Sequence, residues 1–191
     1  MNIQLTSPPA VEPITVLEAK EHCRVEHALE DTYIGGLITA ARGYVENFTN
    51  RALITQKWEL IFDSFPGSSI EIPKPPLLSV DSIKYIDVNG AEQTLATTEY
   101  EVDIYSETGR VVLANGKSWP STKTTLNAVK IAFTAGYGAT GATVPEPIRQ
   151  AIKIMVAEMY ERREVALAGT IISKVPITAE YLLYPHRIIR F

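Results

Sequence analysis

Apolar residues recur at helical spacing in two parts of the chain, near its start and after residue 145. In the first part, Thr15 and Glu18 form a Ser/Thr-x-x-Glu capping box, which predicts a short helix over residues 16–25. Asp31 can cap a second helix. The apolar stripe of this second helix consists of Ile34, Leu37, Ile38, Ala41, Tyr44, Val45 and Phe48.

A third, longer helix is predicted after Pro145, because proline fits the first turn of a helix. Glycine commonly follows the last helical turn, so we expect this helix to end near Ala168-Gly169. From residue 170 onward, Pro176 and Pro185 interrupt a sequence with no clean period, which predicts an extended arm. The apolar face of the third helix consists of Ile148, Ala151, Ile152, Met155, Val156, Met159 and Tyr160.

Between the second and third helices the pattern changes to a period of two. Short segments that alternate apolar and polar residues are separated by turn sequences such as Asn89-Gly90 and Asn115-Gly116. Short strands joined by Asn-Gly turns are typical of antiparallel β-structure. The predicted strands cover residues 58–62, 69–72, 82–86, 100–105, 110–113 and 128–133.

This order of elements predicts an α+β fold. We expect a small antiparallel helical bundle of two N-terminal helices and one long C-terminal helix, with an inserted antiparallel β-module and an extended C-terminal arm. The predicted boundaries are 1–53 for the N-terminal helices of the helical body and 54–134 for the β-module. The connector loop and long helix of the same helical body cover 135–169, and the arm covers 170–191.

Composition and charge narrow the class of protein. The 191 residues are 46% hydrophobic with a net charge of −4, which excludes a disordered chain. One cysteine, Cys23, allows no intramolecular disulfide and no Cys-rich zinc site. The sequence predicts no signal peptide and no membrane helix, and a pI of about 5.5 argues against a nucleic-acid binder held by phosphate contacts. We therefore expect a soluble intracellular protein, or one assembled inside a cell.

The segment from Gly136 to Gly141 matches the Gly-x-Gly-x-x-Gly pattern and lies between a predicted strand and a predicted helix. The other features of a dinucleotide-binding site are missing from the sequence. The helix begins only after Pro145, and no parallel strand with an acidic end comes next. We interpret the segment as a connector, and a nucleotide-binding enzyme that uses this loop is the alternative function.

Other groupings of reactive residues are weak. His22 and His27 are five positions apart, so they do not share a helix face with each other. The acidic residues of segment 99–103 alternate along a strand, whereas a calcium site needs oxygen ligands that converge from a loop. The sequence therefore predicts no catalytic residue, no metal, no cofactor and no enzyme activity.

A third hypothesis, a ligand-binding β-module, would use Trp58 and Trp119.

Two segments contain the Tyr and Arg residues that commonly anchor interfaces. One is the end of the long helix, for which the alternative is a solvated, salt-bridged helix end. The other is the arm. Its net charge from residue 171 onward is +2, from three basic residues and one acidic residue, whereas the rest of the chain has a net charge of −6. The alternative interpretation of the arm is that it folds back on the core of its own subunit. The predicted interface residues are Tyr160, Arg162, Arg163, Glu164, Tyr181, Leu183, Tyr184, His186, Arg187, Ile188, Arg190 and Phe191.

The order of several motifs resembles one known family. Phe133-Thr134-Ala135-Gly136-Tyr137-Gly138 is followed by Val144-Pro145-Glu146-Pro147-Ile148-Arg149-Gln150-Ala151-Ile152, by Tyr160-Glu161-Arg162-Arg163-Glu164 and by Tyr184-Pro185-His186-Arg187. Over nearly the whole chain, this series resembles the head–tail connector (adaptor, head-completion) proteins of tailed bacteriophages with long non-contractile tails, and of related prophages and gene-transfer particles.

The resemblance implies a structural protein of the virion neck, assembled in the host bacterial cytoplasm. Its subunits would form a homo-oligomeric ring beneath the portal, twelvefold when assembled on a portal, that connects the DNA-filled head to the tail. The ring would extend the DNA channel, and double-stranded DNA would pass without sequence-specific binding. The portal protein and a tail-side neck or tail-completion protein would be the partners, and the C-terminal arm would insert against the portal. No membrane and no cofactor are implied.

Overall fold

The computed structural model describes residues 1–162 and 176–189. The chain forms two compact units. The β-unit comprises Met1–Ala10 and Thr55–Tyr137, and the helical unit comprises Val11–Ile54 together with the chain from Gly138 onward. Helices and antiparallel sheets are both present, so the predicted α+β class is confirmed.

The described residues of the helical unit form four α-helices. Helix α3 packs against each of the other three. The apolar stripes that predict the second and third helices are buried, and Ile34, Ile38, Ile148 and Ile152 are all at most 1% exposed. The helices are α1 (Val16–Cys23), α2 (Asp31–Thr49), α3 (Glu146–Glu161) and α4 (Ile177–Leu183), and short 3-10 turns cover Gly141–Thr143 and Tyr184–His186.

Local signals explain where α1 begins and ends. Its N-cap is Thr15, whose side-chain oxygen accepts a hydrogen bond from the backbone N–H of Glu18 at 3.1 Å, and the Glu18 carboxylate accepts one from the backbone N–H of Thr15 at 2.7 Å. These two bonds form the predicted capping box. The helix ends at Cys23, and its C-cap residue Arg24 adopts the left-handed conformation with φ 58°.

The β-unit contains two antiparallel sheets. The strand order is β1-β2-β8-β4-β5 in the larger sheet and β3-β7-β6 in the smaller one. The central strand β8 alternates buried and half-buried residues along its whole length, as expected for a sheet with one face on a core. The strands are β1 (Asn2–Ser7), β2 (Gln56–Phe62), β3 (Ser69–Glu71), β4 (Leu77–Ile86), β5 (Glu92–Thr94), β6 (Tyr100–Asp103), β7 (Arg110–Leu113) and β8 (Val129–Ala135).

The first ten residues differ from the expectation that residues 1–53 belong to the helical body. Strand β1 pairs antiparallel with β2, with Asn2 opposite Ile61 and Leu5 opposite Trp58. Its sequence alternates polar and apolar residues, with Ile3 and Leu5 as the apolar ones, but two apolar positions before Pro8 are too few to predict a strand without its partner β2. Pairing with β1 covers the edge of β2.

The described part of the C-terminal segment, residues 176–189, also differs from the predicted extended arm, because it contains α4 and a 3-10 turn. Pro176 is the N-cap of α4, and Pro185 lies in the first turn of the 3-10 helix, so neither proline breaks a helix. Helix α3 ends at Glu161, before the predicted end near Ala168-Gly169. Within residues 1–162 and 176–189, no helix is long and apolar enough to cross a membrane.

Candidate assembly surfaces

Backbone and side-chain hydrogen bonds fix the C-terminal segment to the end of α2. The backbone N–H of Ile188 donates to the carbonyl oxygen of Thr49 at 2.9 Å. The side-chain amide of Asn50 donates to the carbonyl oxygen of Ile188 at 2.9 Å, and Nε of Arg51 donates to that of His186 at 2.5 Å. The segment is therefore an integral part of the helical unit.

The side chains of two predicted interface residues lie at this attachment. The guanidinium of Arg187 lies over the ring of Phe48, 5.1 Å from its centroid, where a cation–π attraction operates. His186 is half-buried, and burial together with the nearby charge of Arg51 lowers its pKa. A lowered pKa keeps the imidazole neutral at physiological pH, so it adds no charge to this contact.

Helix α4 has one buried and one exposed face. Ala179 and Leu183, one turn apart, are fully buried. Ile177, Tyr181 and Tyr184 are 63%, 69% and 61% exposed, and their spacing of four and three residues places them on one side. We call these three residues the α4 stripe. The structure thus divides the predicted interface residues between core (Leu183 and Ile188) and surface (Tyr181 and Tyr184).

The end of α3 shows a similar division. The hydroxyl of Tyr160 donates to the Glu30 carboxylate, and its ring lies 6.3 Å from that of Tyr33. Arg162 is exposed, and its Nε pairs with the Glu158 carboxylate at 2.9 Å, as in a salt-bridged helix end. Tyr160 therefore stabilises the helical unit from within. The predicted interface residues Arg163, Glu164, Arg190 and Phe191 lie outside the described residues.

Packing against the chain itself accounts for two glycines of the Gly136–Gly141 loop. A Cβ on Gly141 would lie 2.3 Å from the carbonyl oxygen of Pro13, and a Cβ on Gly138 would lie 2.7 Å from the Thr143 side chain. The strand before the loop is antiparallel to both neighbours, and α3 begins only at Glu146. This geometry differs from a dinucleotide-binding turn, in which the last glycine opens the helix.

Charged side chains of the helical unit are used to join its elements. Nε of Arg42 lies 2.7 Å from the Glu12 carboxylate, and its Nη1 lies 3.2 Å from that of Glu46. Arg149 pairs with Glu18, which joins α3 to the cap of α1. Burial raises the pKa of Glu18, but hydrogen bonds from Thr15 and the positive charge of Arg149 outweigh it, so the pKa is lowered overall. Glu18 therefore stays ionised in this ion pair.

The two tryptophans of the hypothetical ligand-binding β-module lie beside other side chains of the β-unit. Trp119 stacks on Phe65 with ring centroids 4.7 Å apart, and Trp58 has the Lys74 ammonium 5.8 Å from its ring. Both tryptophans thus contact residues of their own β-unit. In the part of the chain that the structure describes, no group of three His, Cys, Asp or Glu residues could hold a metal ion.

The similarity to known proteins extends over the whole chain. The structure is similar to a chain from the neck of an empty gene transfer agent (GTA) particle computed with C6 symmetry, with a TM-score of 0.81 and 25% identity. It is also similar to a chain of the virion of the native GTA particle (0.81, 24%) and to one of the neck of the native GTA particle computed with C12 symmetry (0.77, 24%). Each alignment covers 100% of this chain and 97% of the other. No curated protein matches the chain significantly.

A family model described as head completion protein matches residues 12–182. This match confirms the resemblance to head-completion proteins that the motif order indicates, and it favours a structural role over the nucleotide-binding alternative. The chain belongs to the head completion protein family. It is a structural protein and not an enzyme.

Proposed function

We propose that this protein is a subunit of the virion neck and that its copies form a ring beneath the portal, twelvefold when the ring is assembled on a portal. The observation that carries the proposal is the full-length similarity to chains from GTA necks computed with C6 and C12 symmetry. The ring would connect the DNA-filled head to the tail and extend the DNA channel. Double-stranded DNA would pass without sequence-specific binding.

The α4 stripe is the proposed portal-docking surface. Its two tyrosines supply the large amphipathic side chains that commonly anchor interfaces. Leu183 and Ile188 support the stripe from inside the helical unit, so it is presented on a fixed helix. Arg162 and Arg187 are exposed in the same unit and can pair with partner carboxylates. Arg163, Glu164, Arg190 and Phe191 belong to the same proposal on their sequence alone.

The second proposed partner is a tail-side neck or tail-completion protein. A ring that joins head and tail has two ends, and each end needs its own contact. Assembly would take place in the host bacterial cytoplasm, and the finished protein would lie in the virion neck.

Light scattering over a wide concentration range, with electron microscopy of the same sample, tests ring formation. A pull-down with a portal protein from the same phage or particle then tests docking. We expect closed rings, alone or on the portal, and loss of portal binding in the Tyr181→Ala, Tyr184→Ala double variant. The control is Leu29→Ala, which removes an exposed apolar side chain of the same unit. A chain that neither forms rings nor binds the portal would contradict the proposed function.

A further inference from the structure

Three lysines of the β-unit surround one groove on the larger sheet. Lys84 on β4 and Lys130 on β8 are directly opposite each other in the antiparallel pair, and Lys123 lies in the segment before β8. The groove has a volume of about 350 Å³, and Thr125 and Leu126 also line it. Like charges directly opposite each other destabilise a sheet. The Lys84–Lys130 pair therefore lowers the stability of the sheet, and the sheet does not need this pair in order to form.

One carboxylate partly offsets these charges. Glu92 lines the groove and pairs with Lys84 at 2.9 Å. The hydrogen bond and charge of Lys84, together with the charge of Lys130, lower the pKa of Glu92. Among the described residues, neither Lys123 nor Lys130 forms an ion pair. The groove is thus locally basic, although its unit carries seven basic and ten acidic residues.

The loop between β6 and β7 has the opposite character. Tyr105 is 95% exposed, and Ile104 beside it is also exposed. Glu101 and Glu107 are exposed on either side of them. We call residues 104–107 the Tyr105 loop. An exposed tyrosine flanked by carboxylates is suited to a groove that combines lysines with an apolar side chain such as Leu126, which is 78% exposed.

Hydrogen bonds hold the Tyr105 loop in one conformation. The Asp103 carboxylate accepts bonds from the backbone N–H groups of Tyr105 at 3.0 Å and Ser106 at 3.1 Å, and it pairs with Arg110 at 3.1 Å. The hydroxyl of Ser106 also donates to this carboxylate at 2.6 Å, and this bond, together with those from the backbone N–H groups and Arg110, lowers the pKa of Asp103 to about 2. The loop is therefore pre-organised while its tyrosine is in solvent, which reduces the entropy lost on binding.

We propose that the lysine groove of one subunit receives the Tyr105 loop of a second copy of this chain. The inference rests on the proposed ring. A ring closes through head-to-tail contacts, which need two different complementary surfaces on every subunit. The β-unit carries both surfaces. In the complex, Tyr105 packs against Leu126, and Glu101 and Glu107 pair with Lys123 and Lys130.

A cross-linking experiment tests this contact directly. All variants carry Cys23→Ser to remove the native thiol. Equal amounts of a Tyr105→Cys variant and a Leu126→Cys variant are mixed and mildly oxidised, and disulfide heterodimers are quantified. The matched control replaces Leu126→Cys with Thr6→Cys, an exposed position on β1 at the other edge of the sheet. We expect the heterodimer yield to exceed this control by about tenfold, since a specific contact raises local concentration.

Charge reversal tests the specificity of the pair. Lys123→Glu with Lys130→Glu in the groove-bearing variant should lower the yield about tenfold, and Glu101→Lys with Glu107→Lys in the loop-bearing variant should restore it. Lys123→Gln with Lys130→Gln repeats the test if reversal impairs folding, which circular dichroism checks. Portal binding is measured with the same variants, because it tests the proposed neck function independently of the contact between the lysine groove and the Tyr105 loop.

Three results would overturn the inference. The first is a heterodimer yield equal to the Thr6→Cys control, in solution and in assembled rings. The second is a yield that does not respond to charge reversal. The third is double-stranded DNA that binds the groove lysines without lowering the cross-link yield, because the loop would then not occupy the groove. If portal binding or rings persist in any of these cases, the proposed function stands and this subunit contact alone is wrong.

Discussion

Gly141 shows at the scale of one residue how a motif can match a sequence pattern for structural reasons. An added Cβ would meet a backbone carbonyl, that of Pro13, at 2.3 Å, and a backbone atom cannot turn away as a flexible side chain can. The glycine is thus required where the start of the helical unit passes the segment before α3. Resemblance to a nucleotide-binding loop follows from this packing.

Gly141→Ala should therefore lower the free energy of unfolding by about 1–3 kcal/mol, the usual cost of overpacking a filled site. Gly36→Ala is the matched control. Gly36 lies inside α2 with nothing within 4 Å of its added Cβ, so alanine there should stabilise the protein by about 0.5–1 kcal/mol. Urea unfolding monitored by circular dichroism measures both. Equal stability of Gly141→Ala and the unmodified protein would contradict the packing explanation.

Neighbouring residues of the C-terminal segment show what a sequence can and cannot predict about a site. Leu183 and Tyr184 are adjacent and both apolar in character, yet Leu183 is fully buried and Tyr184 is exposed. Residue type predicted an interface for both of them. Which side chain faces the core depends on the direction in which α4 packs on the helical unit, and a segment without a clean period does not contain that information.

At the scale of secondary structure, signals that lie within an element predicted that element. The capping box of α1 and the apolar stripes of α2 and α3 are local, and those three helices are present. Strand β1 and helix α4 depend on partners elsewhere in the chain. β1 has one residue that is partly buried and α4 has seven residues, too few to be stable alone, so tertiary contacts decide their conformation.

Leu183→Ala and Tyr181→Ala should separate the two faces of α4. The leucine is fully buried, so its truncation should lower the free energy of unfolding by about 2–5 kcal/mol. The tyrosine is exposed, so its truncation should change stability by no more than about 0.5 kcal/mol. Thermal and urea unfolding measure both variants. Two variants of equal stability would show that α4 is not packed on the helical unit in solution.

At the scale of the whole molecule, charge distribution bears on the proposed DNA channel. The net charge is −4, and the β-unit accounts for −3 of it with seven basic and ten acidic residues. DNA-binding proteins gain affinity by neutralising phosphates and releasing counterions. A subunit with this balance repels phosphates weakly at long range, which suits a channel through which DNA slides.

The chain should accordingly bind random double-stranded DNA more weakly than a Kd of about 10⁻⁴ M at physiological salt, the weak end of non-specific binding. Fluorescence anisotropy of a labelled duplex, titrated at several salt concentrations, measures this. The Glu101→Lys, Glu107→Lys variant raises the net charge by four and should bind more tightly, with an affinity that falls as salt rises. Micromolar binding by the unmodified chain would mean that a local basic surface dominates its net charge. The protein would then bind DNA that has to pass freely through the proposed channel.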